Sequence, residues 1–360
     1  MRKRLRELGI EIGTIPTGKY NAITDVAGVL VGHRTVIYDE PRVARTGVTM
    51  IVPRNNEIWH NYAFAAYHSF NGNGGMTGLP WMDESGMLGS AIAITNTHQM
   101  GVVRDAMVAY SVENDYKDAF ILPVASETYD GWLNDIDAFH LTKEHVDEAI
   151  ASAVGGPVEE GNVGGGTGMI CHDFKGGIGT SSRVVEIEGE QYTVGALVQA
   201  NHGDRELLRV DGVPVGRMIG ADKVPLPWIT PPQGTRTSSI IIIVATDAPL
   251  LPVQCKRLAQ RATIGYARVG GTGHNGSGDI FLAFATGNDL PARPTAQLRS
   301  LRMLRHQQLN PLFNATADAV EESILNAITT AETMTGFMGR TAYGIPLDQL
   351  QEILKIHRKW

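Results

Sequence analysis

Short apolar runs rich in β-branched residues alternate with glycine-rich stretches through most of the chain. Examples are VLVGH (29–33), GVTMIV (47–52), SAIAIT (90–95), FILPVAS (120–126) and TVGALVQAN (193–201). Runs of this length, closed off by turn formers, predict β-strands. The run Ile240 to Val244 is uninterrupted and β-branched, as expected of a central strand covered on both faces, although a buried helical turn shares that pattern. It follows PLPWITPPQGTRTS (225–238), which has no periodicity and predicts a loop feeding the strand. A further strand is expected from Ile280 to Phe284.

Helical periodicity falls between these runs and dominates the end of the chain. Val146, Ile150 and Val154 share one face of a segment spanning Thr142 to Val154. Asp247-Ala248-Pro249 predicts a helix start, with the helix running to about residue 262. Leu312, Val320, Ile324, Ala327 and Ile328 line one face between Pro311 and Thr333, and Leu347, Leu350, Ile353 and Leu354 mark a last amphipathic helix. Helices with a single apolar face need a sheet to cover, so the expected architecture is one α/β layered sandwich with a mixed sheet, spanning residues 1–360.

Composition narrows the function. The 360 residues are 43% hydrophobic and 19% charged, enough to bury a sizeable core. A net charge of −7 opposes binding to nucleic-acid phosphates, and no stretch is long and apolar enough for a membrane span. The N-terminal MRKRLRELGIEIGTIPTG starts basic but reaches Glu7 and Glu11 without an export-type apolar run, and Cys171 and Cys255 offer neither a disulfide framework nor a CxxC site. A cytoplasmic location is therefore expected. GTGHNG (271–276) fits a dinucleotide-loop pattern but precedes a strand, and GNVGGGTGM (161–169) lacks the lysine ending of a phosphate loop. The histidines form no HExxH, His140 and His145 are five apart, and CHD (171–173) reads as a loop or strand edge. Neither a cofactor nor a metal is expected.

Two places carry candidate chemistry. Ser239 opens the Ile240–Val244 run, where a hydroxyl packs poorly and is held by rigid neighbours, although a serine there can simply satisfy backbone groups at a loop end. Ser277 and Asp279 stand two apart at the start of the next strand, facing the same way, a pairing suited to holding and passing a proton. If the two strands are neighbours, both groups reach one cleft.

Beyond these residues the chain resembles a known family. SIIIIVATDAPLLPVQCKRLAQRA, SGDIFLAFATGN, LVQANHG and SETYDG, together with AITDVAGVLVGH, TGVTMIVPR and GNVGGGTGM, are similar to the DmpA-type L-aminopeptidase/D-amidase/D-esterase family, which includes β-peptidyl aminopeptidases. The resemblance covers nearly the whole chain. It implies an αββα sandwich with mixed sheets, a fold shared with ornithine acetyltransferases, and self-cleavage before Ser239 into chains 1–238 and 239–360. It also implies hydrolysis of short peptides, amides or esters through an acyl-enzyme on Ser239. By motif, Ser277 and Asp279 form the hydroxyl-carboxylate pair, Asn201 faces the oxyanion, Tyr129 is the active-site tyrosine, and Glu127 holds the substrate's amino group. A homotetramer of processed protomers follows from the same resemblance.

The types fit the chemistry. Attack of Ser239 on the Ser238 carbonyl would free an α-amino group, whose pKa of roughly 7.7–8.0 suits a base. Whether that amine or the Ser277–Asp279 pair takes the proton stays open. Relatives place Gly or Asn before the nucleophile, where this chain has Ser238, with Thr237 also in range of the cut. Two other readings remain: an ornithine-acetyltransferase-like acyl transferase, a class that uses threonine, and an uncleaved binding protein of the same fold. Trp81, Trp132 and Phe70 are candidates for the pocket wall.

Overall fold

A computed structural model describes residues 2–116, 121–228, 238–293 and 296–357. The described strands form two mixed sheets. The smaller has the order β1 (Leu30–Tyr38), β2 (Ala44–Val52), β5 (Ile92–Asn96) and β6 (Val124–Thr128), the last pair parallel. The larger has the order β4 (Met87–Leu88), β3 (Ala63–Gly72), β12 (Ser277–Ala285), β11 (Ser238–Thr246), β10 (Glu190–Asn201) and β9 (Gly177–Ile187). In the larger sheet only the β11–β12 pair is parallel. Two ribbons complete the strands, β7 (Ile170–Cys171) with β8 (Phe174–Lys175) and β13 (Met334–Thr335) with β14 (Thr341–Ala342).

Strand β11 explains the layering. Its residues are fully buried from Ile240 to Thr246, and they divide by the two-residue period of a strand. Ile240, Ile242 and Val244 join the apolar cluster shared with helices α5 (Pro252–Arg268) and α6 (Asn310–Thr330). Ile241, Ile243 and Ala245 join a second cluster with Met50, Ile92 and Ile94 of the smaller sheet. That sheet is covered in turn by α2 (Met100–Glu113) and α3 (Lys143–Ala151). The layers therefore run helix, sheet, sheet, helix. Each fully buried isoleucine contributes about 1.5–3 kcal/mol relative to exposure. The short helices α1 (Leu79–Ser85) and α4 (Val215–Met218) lie at the periphery, and α7 (Leu347–His357) buries Leu350 and Leu354 against the α5/α6 cluster. Among the described residues, no helix is long and apolar enough to cross a membrane.

The predicted elements appear with shifted ends. Strands β1 and β2 run beyond the apolar runs that announced them, and β6 begins at Val124; Phe120, within the run read there, lies outside the described residues, as do residues 229–237 of the loop read at 225–238. Helix α5 starts at Pro252 and ends at Arg268, later at both ends than the pattern indicated. The reason is that the Asp247 carboxylate does not cap a helix but accepts the backbone N–H of Thr193 on β10 (2.8 Å), so 247–251 turns off the sheet first.

Helix α6 is buried on nearly every side, and its polar groups are satisfied by ion pairs and hydrogen bonds. Glu322 pairs with Arg183 at 2.7 Å with both side chains fully buried, and with Arg6 at 2.9 Å. Asn326 accepts the backbone N–H of Leu5 (2.9 Å) and donates to the carbonyl of Thr180 (2.9 Å). The N-terminal segment is thereby fastened to the core.

Candidate active site

Parallel pairing of β11 with β12 sets Ser238 opposite Ser277 and Ile240 opposite Asp279. Alternation along each strand then puts Ser238, Ser277 and Asp279 on the α5 side of the sheet and Ser239 on the side of the smaller sheet. On the α5 side lies a chain of hydrogen bonds. Ser238 Oγ donates to Ser277 Oγ (2.9 Å), Ser277 Oγ to Asp279 Oδ1 (2.6 Å), and the Tyr266 hydroxyl to Asp279 Oδ2 (3.2 Å). Burial pushes the Asp279 carboxyl up to about 6, against the opposing pull of the Ser277 and Tyr266 hydrogen bonds. It is Ser238, not Ser239, that occupies the hydrogen-bonding position beside Ser277.

The Ser239 hydroxyl has no hydrogen-bond partner among the described residues, although the residue is only 4% exposed. It borders a cavity of about 470 Å³ lined also by Asn73, Gly74, Gly75, Thr97, Glu127 and Tyr129. A buried hydroxyl without a partner is costly unless its site has another use. Glu127, on β6, lies in the same cavity with both carboxylate oxygens held: the Gly75 N–H donates to Oε1 (2.7 Å) and the Thr97 hydroxyl to Oε2. Burial raises the Glu127 carboxyl above the usual glutamate range, and these two hydrogen bonds and the nearby His98 oppose the rise.

Glycine makes this wall thin. A Cβ on Gly278 would sit 2.5 Å from the Asn73 carbonyl oxygen and 2.7 Å from Gly74 Cα, so NGNGG (71–75) approaches β12 backbone to backbone and carries the Gly75 N–H to Glu127.

Asn201, the last residue of β10, stands opposite Ser239 in the antiparallel register. Its Oδ1 accepts the N–H of Ile170 and its Nδ2 donates to the carbonyl of Tyr129, each at 2.9 Å, so the amide is fixed in orientation. Tyr129 follows β6 directly. Its phenol is shifted upward by burial and then by Asp130 and Asp137, with Arg340 pulling the other way. A second cavity, of about 380 Å³, is lined by Tyr129, Trp132, Asn201, Trp228 and Arg340, and shares Tyr129 and Ser238 with the first. Of the three aromatic candidates for a wall, Trp132 lines this cavity. Trp81 is 51% exposed on α1, and Phe70 stacks on Phe281 (6.2 Å, 15°).

Sequence reasoning passed over two features. Lys175 is fully buried and donates to the carbonyls of Met169 (2.9 Å) and Gly176 (2.7 Å), which ties down the GNVGGGTGM loop; burial lowers its ammonium to about 7. No local pattern announces a lysine used this way. Cys171 and His172, discounted in CHD, converge with His202, their ligand atoms all within 4.8 Å of one another. Burial pushes the Cys171 thiol up to about 12 and lowers His172 to about 4, so these groups are held neutral, with Cys171 Sγ 3.7 Å from His202 Nδ1.

The geometry can now be set beside known proteins. Residues 21–342 match the profile of peptidase family S58. The chain is 44% identical over 374 residues to the β-peptidyl aminopeptidase of Sphingosinicella microcystinivorans, covering 99% of this chain and 93% of that protein. Among solved structures, a Burkholderia sp. β-aminopeptidase superposes with a TM-score of 0.93 at 49% identity, with 99% of each chain covered. The L-aminopeptidase D-Ala-esterase/amidase of Ochrobactrum anthropi, described as a prototype of the serine aminopeptidases with a variant Ntn hydrolase fold, gives 0.89 at 43% identity, again over 99% of each chain. With its two mixed sheets enclosed by helices and likeness of this extent, the chain belongs to peptidase family S58 and is a serine aminopeptidase built on that variant of the Ntn hydrolase fold.

Proposed function

We propose that Ser239 is the nucleophile, released by cleavage of the Ser238–Ser239 bond into chains 1–238 and 239–360, and that it removes N-terminal residues from short peptides, amides and esters. The observation that carries this reading is the unpartnered Ser239 hydroxyl on a cavity containing Glu127, with Asn201 directly across the sheet. In the precursor, Ser239 Oγ attacks the Ser238 carbonyl carbon, the C–N bond breaks, and an ester joins the two chains until water hydrolyses it. The freed amine emerges beside Ser277, at the place where Ser238 now donates its hydrogen bond.

In turnover, ionised Glu127 accepts the substrate's ammonium. Ser239 Oγ attacks the scissile carbonyl and passes its proton to its own amine, with Ser277 and Asp279 holding that amine. Asn201 and Tyr129 face the oxygen on which charge develops; one such donor is worth about 2.7–4 kcal/mol of barrier. The leaving amine takes the proton back and departs, and water repeats the sequence on the ester. The names of the relatives extend the proposed substrates to N-terminal β-amino-acid residues. A homotetramer of processed protomers in a reducing, cytoplasmic setting completes the reading, consistent with two free buried cysteines.

Covalent trapping tests the assignment. A sulfonyl fluoride should label one serine of the active protein, and peptide mapping should find the adduct on Ser239. Labelling on Ser238 or Ser277, or full activity in Ser239→Ala, would contradict it.

A further inference from the structure

The cleft has two ends of opposite character, and only one of them is used by the mechanism above. The Glu127 cavity and the Trp132 cavity meet at Tyr129 and Ser238, so a substrate whose amino end lies at Glu127 and whose carbonyl lies at Ser239 extends its other end into the second cavity. That cavity, about 380 Å³, is at the small end of the range for ligand sites and suits roughly one residue.

On its wall lies Arg340. The guanidinium stacks on the Trp132 ring, with Cζ 4.1 Å from the ring centre, and Trp132 is itself braced edge-to-face on Trp228 at 5.4 Å and by its own N–H to the Pro227 carbonyl (3.2 Å). A guanidinium held over an aromatic face has five N–H donors, more than the hydrogen bonds of Arg340 use here. The Arg340 hydrogen bonds are weak ones, a 3.4 Å contact to the Trp132 carbonyl and a 3.2 Å contact to Met338 Sδ. No carboxylate among the described residues lies within ion-pair distance of it. The acids on the same cavity are engaged elsewhere: Asp173 accepts the Arg205 N–H (3.1 Å), and Asp204 faces His274 (3.9 Å). A half-buried guanidinium lying over an aromatic ring, with long hydrogen bonds of its own and donors to spare, is a carboxylate receptor.

We infer that Arg340 binds the free C-terminal carboxylate of the leaving residue, which makes dipeptides with both termini free the preferred substrate class. This rests on the reading of Ser239 and Glu127 given above. Glu127 and Arg340 then bracket the scissile bond, one holding the ammonium and the other the carboxylate. A longer peptide places an amide where the carboxylate belongs and gains nothing from Arg340.

The test compares β-alanyl-leucine, its C-terminal amide and β-alanyl p-nitroanilide on the processed parent protein, Arg340→Gln and Arg340→Lys. The parent should cleave the free acid with a kcat/KM at least tenfold above that of the amide. Arg340→Gln should lower the acid value tenfold or more through KM, leave the amide and nitroanilide within twofold, and Arg340→Lys should recover part of the loss. Equal preference in the parent, or equal loss on all three substrates, overturns the assignment. So does a variant whose self-cleavage changes while its acid preference does not, since Ser238, which cleavage turns into a carboxylate, lines the same cavity. If the parent cleaves none of the three, the Ser239 reading fails, and calorimetry decides on Arg340: tighter binding of acid than amide by the parent but not by Arg340→Gln supports it, and equal binding overturns it.

Discussion

Replacing Glu127 by glutamine removes one charge and almost no volume from a side chain that is 5% exposed. Two effects follow, and they separate. The first concerns substrate: a charge-assisted hydrogen bond is worth about 1.5–3 kcal/mol, so kcat/KM for a substrate with a free amino group should fall by about tenfold to 150-fold. The second concerns the protein itself. Both carboxylate oxygens accept donors, from Gly75 and Thr97, and glutamine has one oxygen to offer, so one donor loses its acceptor at a cost of about 1–3 kcal/mol of stability. The pH profile adds a sign. Burial raises the Glu127 carboxyl, so the folded protein holds this proton more tightly than the unfolded chain does, and this group's contribution to stability is greatest below the ordinary glutamate pKa and declines as pH rises. Activity runs the other way, because only the ionised form attracts ammonium. The assay is kcat/KM for β-alanyl p-nitroanilide from about pH 4 to pH 9. In the parent, the acid limb should hold two ionisations, that of Glu127 above the usual glutamate range and that of the Ser239 amine, and in Glu127→Gln only the Glu127 step should vanish. A variant within about twofold of the parent at neutral pH, or one that keeps both steps, would refute the reasoning.

Asn201→Ala should lower kcat by about 10²–10³-fold by removing an oxyanion donor, and it should also lower Tm, since Ile170 N–H and the Tyr129 carbonyl both lose a partner; steady-state kinetics with a melting curve reads both. Gly278→Ala inserts a Cβ 2.5 Å from the Asn73 oxygen and should displace residues 73–75, costing about 1–3 kcal/mol of stability in denaturant titration and weakening substrate binding through Gly75 and Glu127. Lys175→Met keeps the volume but removes the ammonium donor from the Met169 and Gly176 carbonyls, so Tm should drop by roughly 5 °C in calorimetry.

Strand β11 was legible because an unbroken β-branched run admits few structures, and the αββα layering followed from that strand and the amphipathic helices. Strand β9 was not. Apart from Ile178, its residues Gly177 to Arg183 are small or polar yet buried, and α6 lies so close that a Cβ on Gly179 would overlap the Ser323 carbonyl oxygen. Its hydroxyls are paired instead, Thr180 to the Ala196 carbonyl (2.6 Å) and Ser181 to that of Ala319 (2.7 Å). Polar residues satisfied by a neighbouring strand and by a helix far away in sequence leave no periodic trace. The candidate site divides in the same way. Motifs named Ser239, Ser277, Asp279, Asn201, Tyr129 and Glu127; the fold sets Ser239, Tyr129 and Glu127 on one cavity with Asn201 across the sheet, and Ser277 and Asp279 on the opposite face of the strand pair. The hydrogen bond from Ser238 to Ser277 depends on which face of β11 each serine takes, and Thr97, Gly75 and Arg340 enter from other parts of the chain. Arg340 in particular gives no local signal, since its setting is built by Trp132 about two hundred residues earlier.

The central claim is that one serine hydroxyl makes itself a chain terminus. Intact-mass spectrometry of freshly synthesised protein, followed over time, tests it most directly. The full-length species should give way to two, the smaller beginning at Ser239, while Ser239→Ala stays whole and Ser238→Ala is still cut. An active enzyme that remains a single full-length chain, or a smaller fragment that begins at any other residue, would contradict the account.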